Sequence, residues 1–255
     1  MRILVAVLLP ACLGAQSLTE PPPLIQLIRK PGISPGLVRP YSDAGAAVDV
    51  LGLTAVTGYP ESWFVEMHGG WASIEELDKK LAAVGYRASE TGGAVAGDDV
   101  LAPARTMIAA FRPSWSYRPD QAIRNFPRAR YCQVTIYRVR AGSERDFGDL
   151  IRLRRARQDS VNLDRPDLAY SVISGAPSGT YIFISPVLSL RTMDDGVADL
   201  PTWAEGIAEA HAKVRAQVSS SAELSREHLL FRMEPRISYV SEGFTSGDPE
   251  FWRSK

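Results

Sequence analysis

The chain repeats its own order of predicted elements, and this limits what it can fold into more than any other feature. Phe111-Arg112 followed by Trp115-Ser116-Tyr117 is echoed by Phe231-Arg232 followed by Ile237-Ser238-Tyr239. The segments before each ending also correspond. In the first half, Leu24–Ile28 reads as a strand, the stretch from Asp43 to Val50 as a short helix, and Leu51–Thr57 and Ser62–His68 as a hairpin around Gly58-Tyr59-Pro60-Glu61. A helix then starts at Ser73, with Glu76 as capping-box partner and Leu77, Leu81 and Val84 on one face. Ala104–Ala110 reads as helical and Phe111–Tyr117 as an edge strand, since Pro113 has no N–H for a ladder. In the second half, Tyr131–Val139 is a predicted strand and Ser143–Val161 a helix. Tyr170–Ser174 and Thr180–Ser185 form a hairpin around Gly175–Gly179, a helix starts at Thr202, and Ala222–Leu230 reads as helical before Phe231–Tyr239 closes the unit.

Each half therefore reads β-α-β-β-α-β, the order of the ferredoxin-like split βαβ unit. Such a unit has an antiparallel sheet with both helices on one face. Its other face is apolar and must be covered. The expected fold class is α+β, with two tandem ferredoxin-like halves, 24–120 and 130–240, packed sheet to sheet as a single-chain α/β barrel. Residues 241–255 form a C-terminal tail. The pattern resembles the dimeric α/β-barrel superfamily, which includes NIPSNAP-like proteins, antibiotic-biosynthesis-monooxygenase-like proteins and haem enzymes related to chlorite dismutase. Tyr170-Ser171-Val172-Ile173-Ser174-Gly175-Ala176-Pro177-Ser178-Gly179-Thr180-Tyr181-Ile182-Phe183 is similar to the central hairpin of exported bacterial members. No catalytic motif of any member is present, so the resemblance assigns no catalytic residue.

The N-terminus reads as an export signal. Arg2 supplies the positive region, Ile3–Leu9 the apolar one, and Leu13-Gly14-Ala15 the small-residue cleavage site before Gln16. Residues 16–23, with Pro21-Pro22-Pro23, read as an extended lead-in. The rival reading is a lipoprotein box at Leu9-Pro10-Ala11-Cys12, acylated on Cys12, which Pro10 fits poorly. Cleavage before Gln16 leaves about 240 residues and one cysteine, Cys132, so no internal disulfide is expected. The 29 basic and 29 acidic residues balance, so there is no global field for nucleic acid or anionic membrane. No apolar run reaches the roughly 18 residues of a membrane-spanning helix.

Strand alternation then sorts the candidate side chains. In Tyr131–Val139, Cys132, Val134 and Ile136 are expected to face the helices, and Gln133, Thr135 and Tyr137 the barrel interior. The same logic turns Gln26, Glu66 and His68 inward, opposite Trp63, Val65 and Met67. Trp115, Tyr117 and Tyr239 are expected to wall the end of that cavity. A carboxylate and an imidazole two residues apart suit proton transfer or a metal. The competing reading of His68 and Glu66 is an ordinary strand end beside Gly69-Gly70. For Gln26, Gln133 and Tyr137 it is a satisfied polar network. His211 reads as a partly buried histidine or a haem ligand, and His228 as helix surface. No His/Cys cluster has zinc spacing, so no metal is expected. Arg152, Arg154, Arg155 and Arg157 spread over a helix as a solvated face. Asp98-Asp99 and Asp194-Asp195 read as turn chemistry. No nucleophile elbow, phosphate loop or dinucleotide fingerprint occurs.

The sequence therefore points to an exported, periplasmic or extracellular monomer that binds a small apolar ligand between its halves. It needs no cofactor, with haem left open. The alternatives are a cofactor-independent monooxygenase-like enzyme, and a scaffold that holds a partner by a sheet edge or by Phe251-Trp252.

Overall fold

The computed structural model describes residues 19–32, 38–86, 105–194 and 205–254. The signal peptide, Cys12, Asp98-Asp99, Asp195 and the helix start at Thr202 lie outside the described residues. In the first half come β1 (Leu24–Pro31), α1 (Arg39–Asp43), β2 (Val50–Ala55), β3 (Glu61–His68), α2 (Trp71–Ala83) and β4 (Arg105–Phe111). A connector holds α3 (Pro119–Asn125) between 3-10 turns at Pro113–Trp115 and Phe126–Arg128. The second half is β5 (Tyr131–Val139), α4 (Glu144–Ser160), β6 (Leu168–Ser174), β7 (Thr180–Val187), α5 (Arg191–Asp194), α6 (Glu205–Ser221) and β8 (Glu223–Met233). A 3-10 turn at Pro235–Ile237, α7 (Glu242–Thr245) and α8 (Pro249–Arg253) follow.

The eight strands close a barrel in the order β1-β3-β2-β8-β5-β7-β6-β4. Each half contributes four strands in the same spatial order, its last strand beside its first and its second at the opposite edge. The halves meet at two seams, β2 with β8 and β4 with β6, both antiparallel. Closure leaves no sheet edge along the paired stretches, which is how a barrel avoids the liability of an exposed edge.

Two predicted helices are strands. Residues 105–111 form β4, with Met107 and Ala109 buried in the core, and only Phe111 of the expected edge strand belongs to it. Pro113–Trp115 is a 3-10 turn. Residues 223–233 form β8, which pairs with β5 from Glu223 to Arg232. Pairing with neighbours thus overrides local helix propensity in both segments. The start of α2 also differs. Gly70 stands at the N-cap, which moves Ser73 into the first turn, where its side chain is free for another partner.

The barrel interior is apolar. Ile25, Leu27, Leu51, Leu53, Trp63, Val65, Met107, Ala109, Cys132, Val134, Ile136, Leu168, Tyr170, Val172, Ile182, Ile184, Phe231 and Met233 form one buried cluster drawn from all eight strands. Trp63 and Phe231 meet across it with ring centroids 4.8 Å apart. Burial of side chains this large contributes about 1.5–3 kcal/mol each. One mouth is sealed by the connector and the tail: Ile123, Phe126, Phe244 and Trp252 join the cluster, and Trp252 Nε1 donates to Pro127 O at 2.6 Å. The Phe251-Trp252 pair is therefore part of the plug. Arg130 lies over the Phe251 ring at 4.0 Å, and Trp252 is buried, so neither is a free anchor for a partner. Near the other mouth Arg29 donates to Glu61 at 3.0 and 3.2 Å and covers the Trp63 ring at 4.7 Å.

The outer faces carry two further cores. Ile28, Tyr41, Val50, Phe64, Leu77, Leu81 and Ile237 pack under α1 and α2. Tyr137, Val139, Phe147, Leu150, Ile151, Ala169, Tyr181, Phe183 and Val218 pack under α4 and α6.

Candidate functional site

These three cores reverse the expected assignment of faces. Cys132, Val134 and Ile136 point into the barrel, whereas Tyr137 packs under the helices. The alternation was read correctly and the side was not. An interior lined on all sides by other strands is drier than a face under helices, so the apolar set goes there. Inside the barrel lies a void of about 20 Å³ lined by Ile25, Leu53, Met67, Cys132 and Met233, among others, enough for about one water. Burial in this lining pushes the Cys132 thiol up to about 12, which makes it inert.

Glu66 and His68 do come together, on the outer face of the first half. Both are buried, at 1% and 0% exposure. His68 Nε2 lies 3.1 Å from Glu66 Oε2, and His68 Nδ1 lies 3.1 Å from Ser73 Oγ in the first turn of α2. The other Glu66 oxygen accepts from the Tyr41 hydroxyl on α1. Burial and the adjacent Glu66 charge hold the Tyr41 phenol far above its ordinary range, so it remains a proton donor. A carboxylate only accepts, so the ring donates from Nε2, and in the neutral imidazole Nδ1 then accepts from the Ser73 hydroxyl. Tyr239 stacks on Tyr41 with centroids 6.3 Å apart and donates to Ala46 O at 2.9 Å. Gln26 stands opposite Glu66 in the β1–β3 ladder and is half-buried.

Gln133 and Thr135 lie on the outer face of the second half. Gln133 pairs with Ser185 in the β5–β7 ladder, and both line a cavity of about 50 Å³ with Asn125, Asp164, Arg165 and Thr192. Thr135 Oγ1 is 3.1 Å from His228 Nδ1. The helices above are rich in cations. Arg154 of α4 lies over the Phe183 ring at 4.5 Å and bonds Asp167 at 2.5 Å. Half-buried His211 of α6 is held below its ordinary range by burial and by Arg157, Arg215 and Arg154. His228 is lowered by burial, then by Arg226, Arg215 and Arg154, against an opposing Glu223. The arginine run is thus not an evenly solvated face: Arg154 is held by Asp167 and Phe183, and Arg155 donates to Ser114 O. Trp115 packs on Phe147 and Tyr181, at 5.4 and 4.8 Å, and Tyr117 bridges to Asp167. Trp115, Tyr117 and Tyr239 therefore do not wall one cavity.

Sequence reasoning missed Tyr41 and assigned Ser73 only a capping role. The signal for Ser73 was available, because Gly69-Gly70 folds the first turn of α2 back over the end of β3. Of the three imidazoles, His68 has both ring nitrogens engaged. Among the described residues no three His, Cys, Asp or Glu side chains gather as a metal would require.

The sequence matches no protein-family model and no curated protein. The structure does have counterparts. A monooxygenase candidate from Fusobacterium nucleatum subsp. nucleatum superposes with TM-score 0.54 at 7% identity, over 87% of this chain and 95% of that one. An anthrone oxidase-like protein gives 0.53 at 11%, over 88% and 95%. A mutant chlorite dismutase from Candidatus Nitrospira defluvii gives 0.48 at 12%, over 91% and 97%. The chain is a closed eight-stranded, single-chain α/β barrel, the fold of the first two of these structures. At these identities the likeness is one of fold, and fold does not fix activity.

Proposed function

We propose that the protein binds a small organic anion on the outer face of its second half, beside α4, α6 and the exposed part of the strands next to them. The observation that carries this reading is the field around His211. Arg157, Arg215 and Arg154 all act on it, and no carboxylate is among the charges that lower or raise it. Arg215 is exposed on α6, and a carboxylate or phosphate group beside it would meet this field through charge-assisted hydrogen bonds. Phe183, Thr135, Gln133 and His228 offer the rest of the molecule a mixed aromatic and polar floor. The space between the two halves is filled by their own side chains, which moves the ligand to this face.

An anionic apolar dye, 8-anilinonaphthalene-1-sulfonate, tests the reading. We expect saturable binding that weakens with added salt and loses about tenfold in affinity in Arg215→Gln, equal to about 1.4 kcal/mol. Binding indifferent to both salt and Arg215 overturns the proposal. We also propose that the protein acts after export, on the strength of residues 1–15. Expression with a secretion system should give a mature mass that begins at Gln16, and an intact cytoplasmic chain argues against export.

A further inference from the structure

The string in the first half invites a separate question: what a serine hydroxyl does when an imidazole accepts its proton. We propose that Ser73, His68 and Glu66 act as nucleophile, base and orienting carboxylate in the hydrolysis of small esters. The geometry meets the tests for such a relay. Ser73 Oγ and His68 Nδ1 are 3.1 Å apart, and so are His68 Nε2 and Glu66 Oε2. The constellation is recognised by roles, so the exchange of the two ring nitrogens relative to the serine-protease pattern does not alter the logic. Tyr41 is a positioning residue. It occupies the second carboxylate oxygen and keeps Glu66 turned to the ring.

The string runs from the buried sheet to the surface and ends at Ser73, which is half-buried. Beside it, a Cβ added at Gly69 or Gly70 would meet nothing within 4 Å, so that flank is open. Trp71 stands next to it with 57% exposure, a platform for an apolar acyl or aryl group. The first amides of a helix have no acceptor within it. The Ser73 amide turns back to Gly70 O at 3.2 Å, and those of Trp71 and Ala72 are the candidates to hold an oxyanion.

The step balances without a cofactor. Ser73 Oγ attacks the ester carbonyl carbon as its proton passes to His68 Nδ1. The tetrahedral adduct collapses, the C–O bond to the alcohol breaks, and His68 returns the proton to the departing alkoxide. Water then attacks the acyl-serine by the same relay, releasing the acid and restoring Ser73. A buried carboxylate, phenol and imidazole could instead serve only to pin α1 and α2 to the sheet. That role does not require a reactive serine.

The experiment treats the full chain with diisopropyl fluorophosphate, which forms an Oγ–P bond with loss of fluoride, and maps the adduct by peptide mass spectrometry. Turnover of p-nitrophenyl acetate is followed in parallel. We expect the adduct on Ser73 and its absence in Ser73→Ala. Turnover should fall at least about 100-fold in that variant and about 10- to 100-fold in Glu66→Gln, and should rise with pH as one base is deprotonated. Tyr41→Phe should shift that pH profile and slow the labelling of Ser73. The absence of an adduct at Ser73 in the folded wild-type chain overturns the proposal, and so does turnover unchanged in Ser73→Ala. The site is in the other half from the proposed anion site, so either reading fails without the other.

Discussion

At the scale of single residues, the buried string has an energetic signature of its own. Tyr41→Phe removes a donor from a carboxylate that has no access to water. A buried acceptor left short costs about 1–3 kcal/mol, and chemical denaturation should show that loss. Phe at position 41 keeps the stack on Tyr239, which isolates the hydroxyl. The cationic face of the second half makes a different prediction. His211 and His228 are both lowered from 6.5, so the folded state holds their protons less tightly than the unfolded chain. Their contribution is complete above about 6.5 and is lost as pH falls from there through the lower folded values, because the unfolded chain takes up the extra protons first. Thermal melts from pH 8 to 5 should show the decline, and an anion bound on that face should reduce it. A melting temperature that rises over that interval contradicts the field described around His211. The pairing of Glu66 with His68 was legible in their spacing on one strand. Their true partners were not, since Tyr41 is far away in sequence and nothing in its local pattern distinguishes it. The face on which they lie was misread because alternation carries parity without direction.

At the scale of elements, the hairpins and long helices followed from periodicity and turn residues, as β5, β7 and α4 illustrate. The misassigned elements were β4 and β8, the last strand of each half, and the first helix, expected from Asp43 to Val50, lies instead at Arg39–Asp43. Glu223–Leu230 has charged and aliphatic residues that suit a helix, and only its pairing with β5 along nearly its whole length makes it a strand. Such information belongs to the partner, not to the segment. The seam element β2 makes its own prediction. Gly52 sits where Pro235–Ile237 crosses the strand, and a Cβ there would lie 2.2 Å from Ile237 O. The obstacle is backbone, which cannot rotate away. Gly52→Ala should therefore cost at least about 2–3 kcal/mol by the usual scale of overpacking, read as a lower denaturation midpoint. A neutral result means the turn does not press on β2 in solution.

At the scale of the whole molecule, the two halves share one strand order and have unlike outer faces. The first half carries a five-residue α1 over the Ser–His–Glu string, whereas the second carries an arginine-rich, 17-residue α4 packed against α6. A chain folded from residues 19–128 alone would present the free edges of β2 and β4, the two strands that normally meet the other half. Antiparallel self-pairing of those edges should make it dimerise, as sedimentation can test; a folded monomeric fragment would mean the edges are protected without β6 and β8.

The β2–β8 seam also imposes a timetable on synthesis. β2 emerges from the ribosome well before its partner β8, and the Trp252 plug follows β8. Until then the first sheet has an unpaired margin and an uncovered apolar face. A chain of this kind cannot reach its native form while it is being elongated. It remains open until β8 and the Trp252 plug have emerged, and any factor that handles the newborn polypeptide meets it in that state.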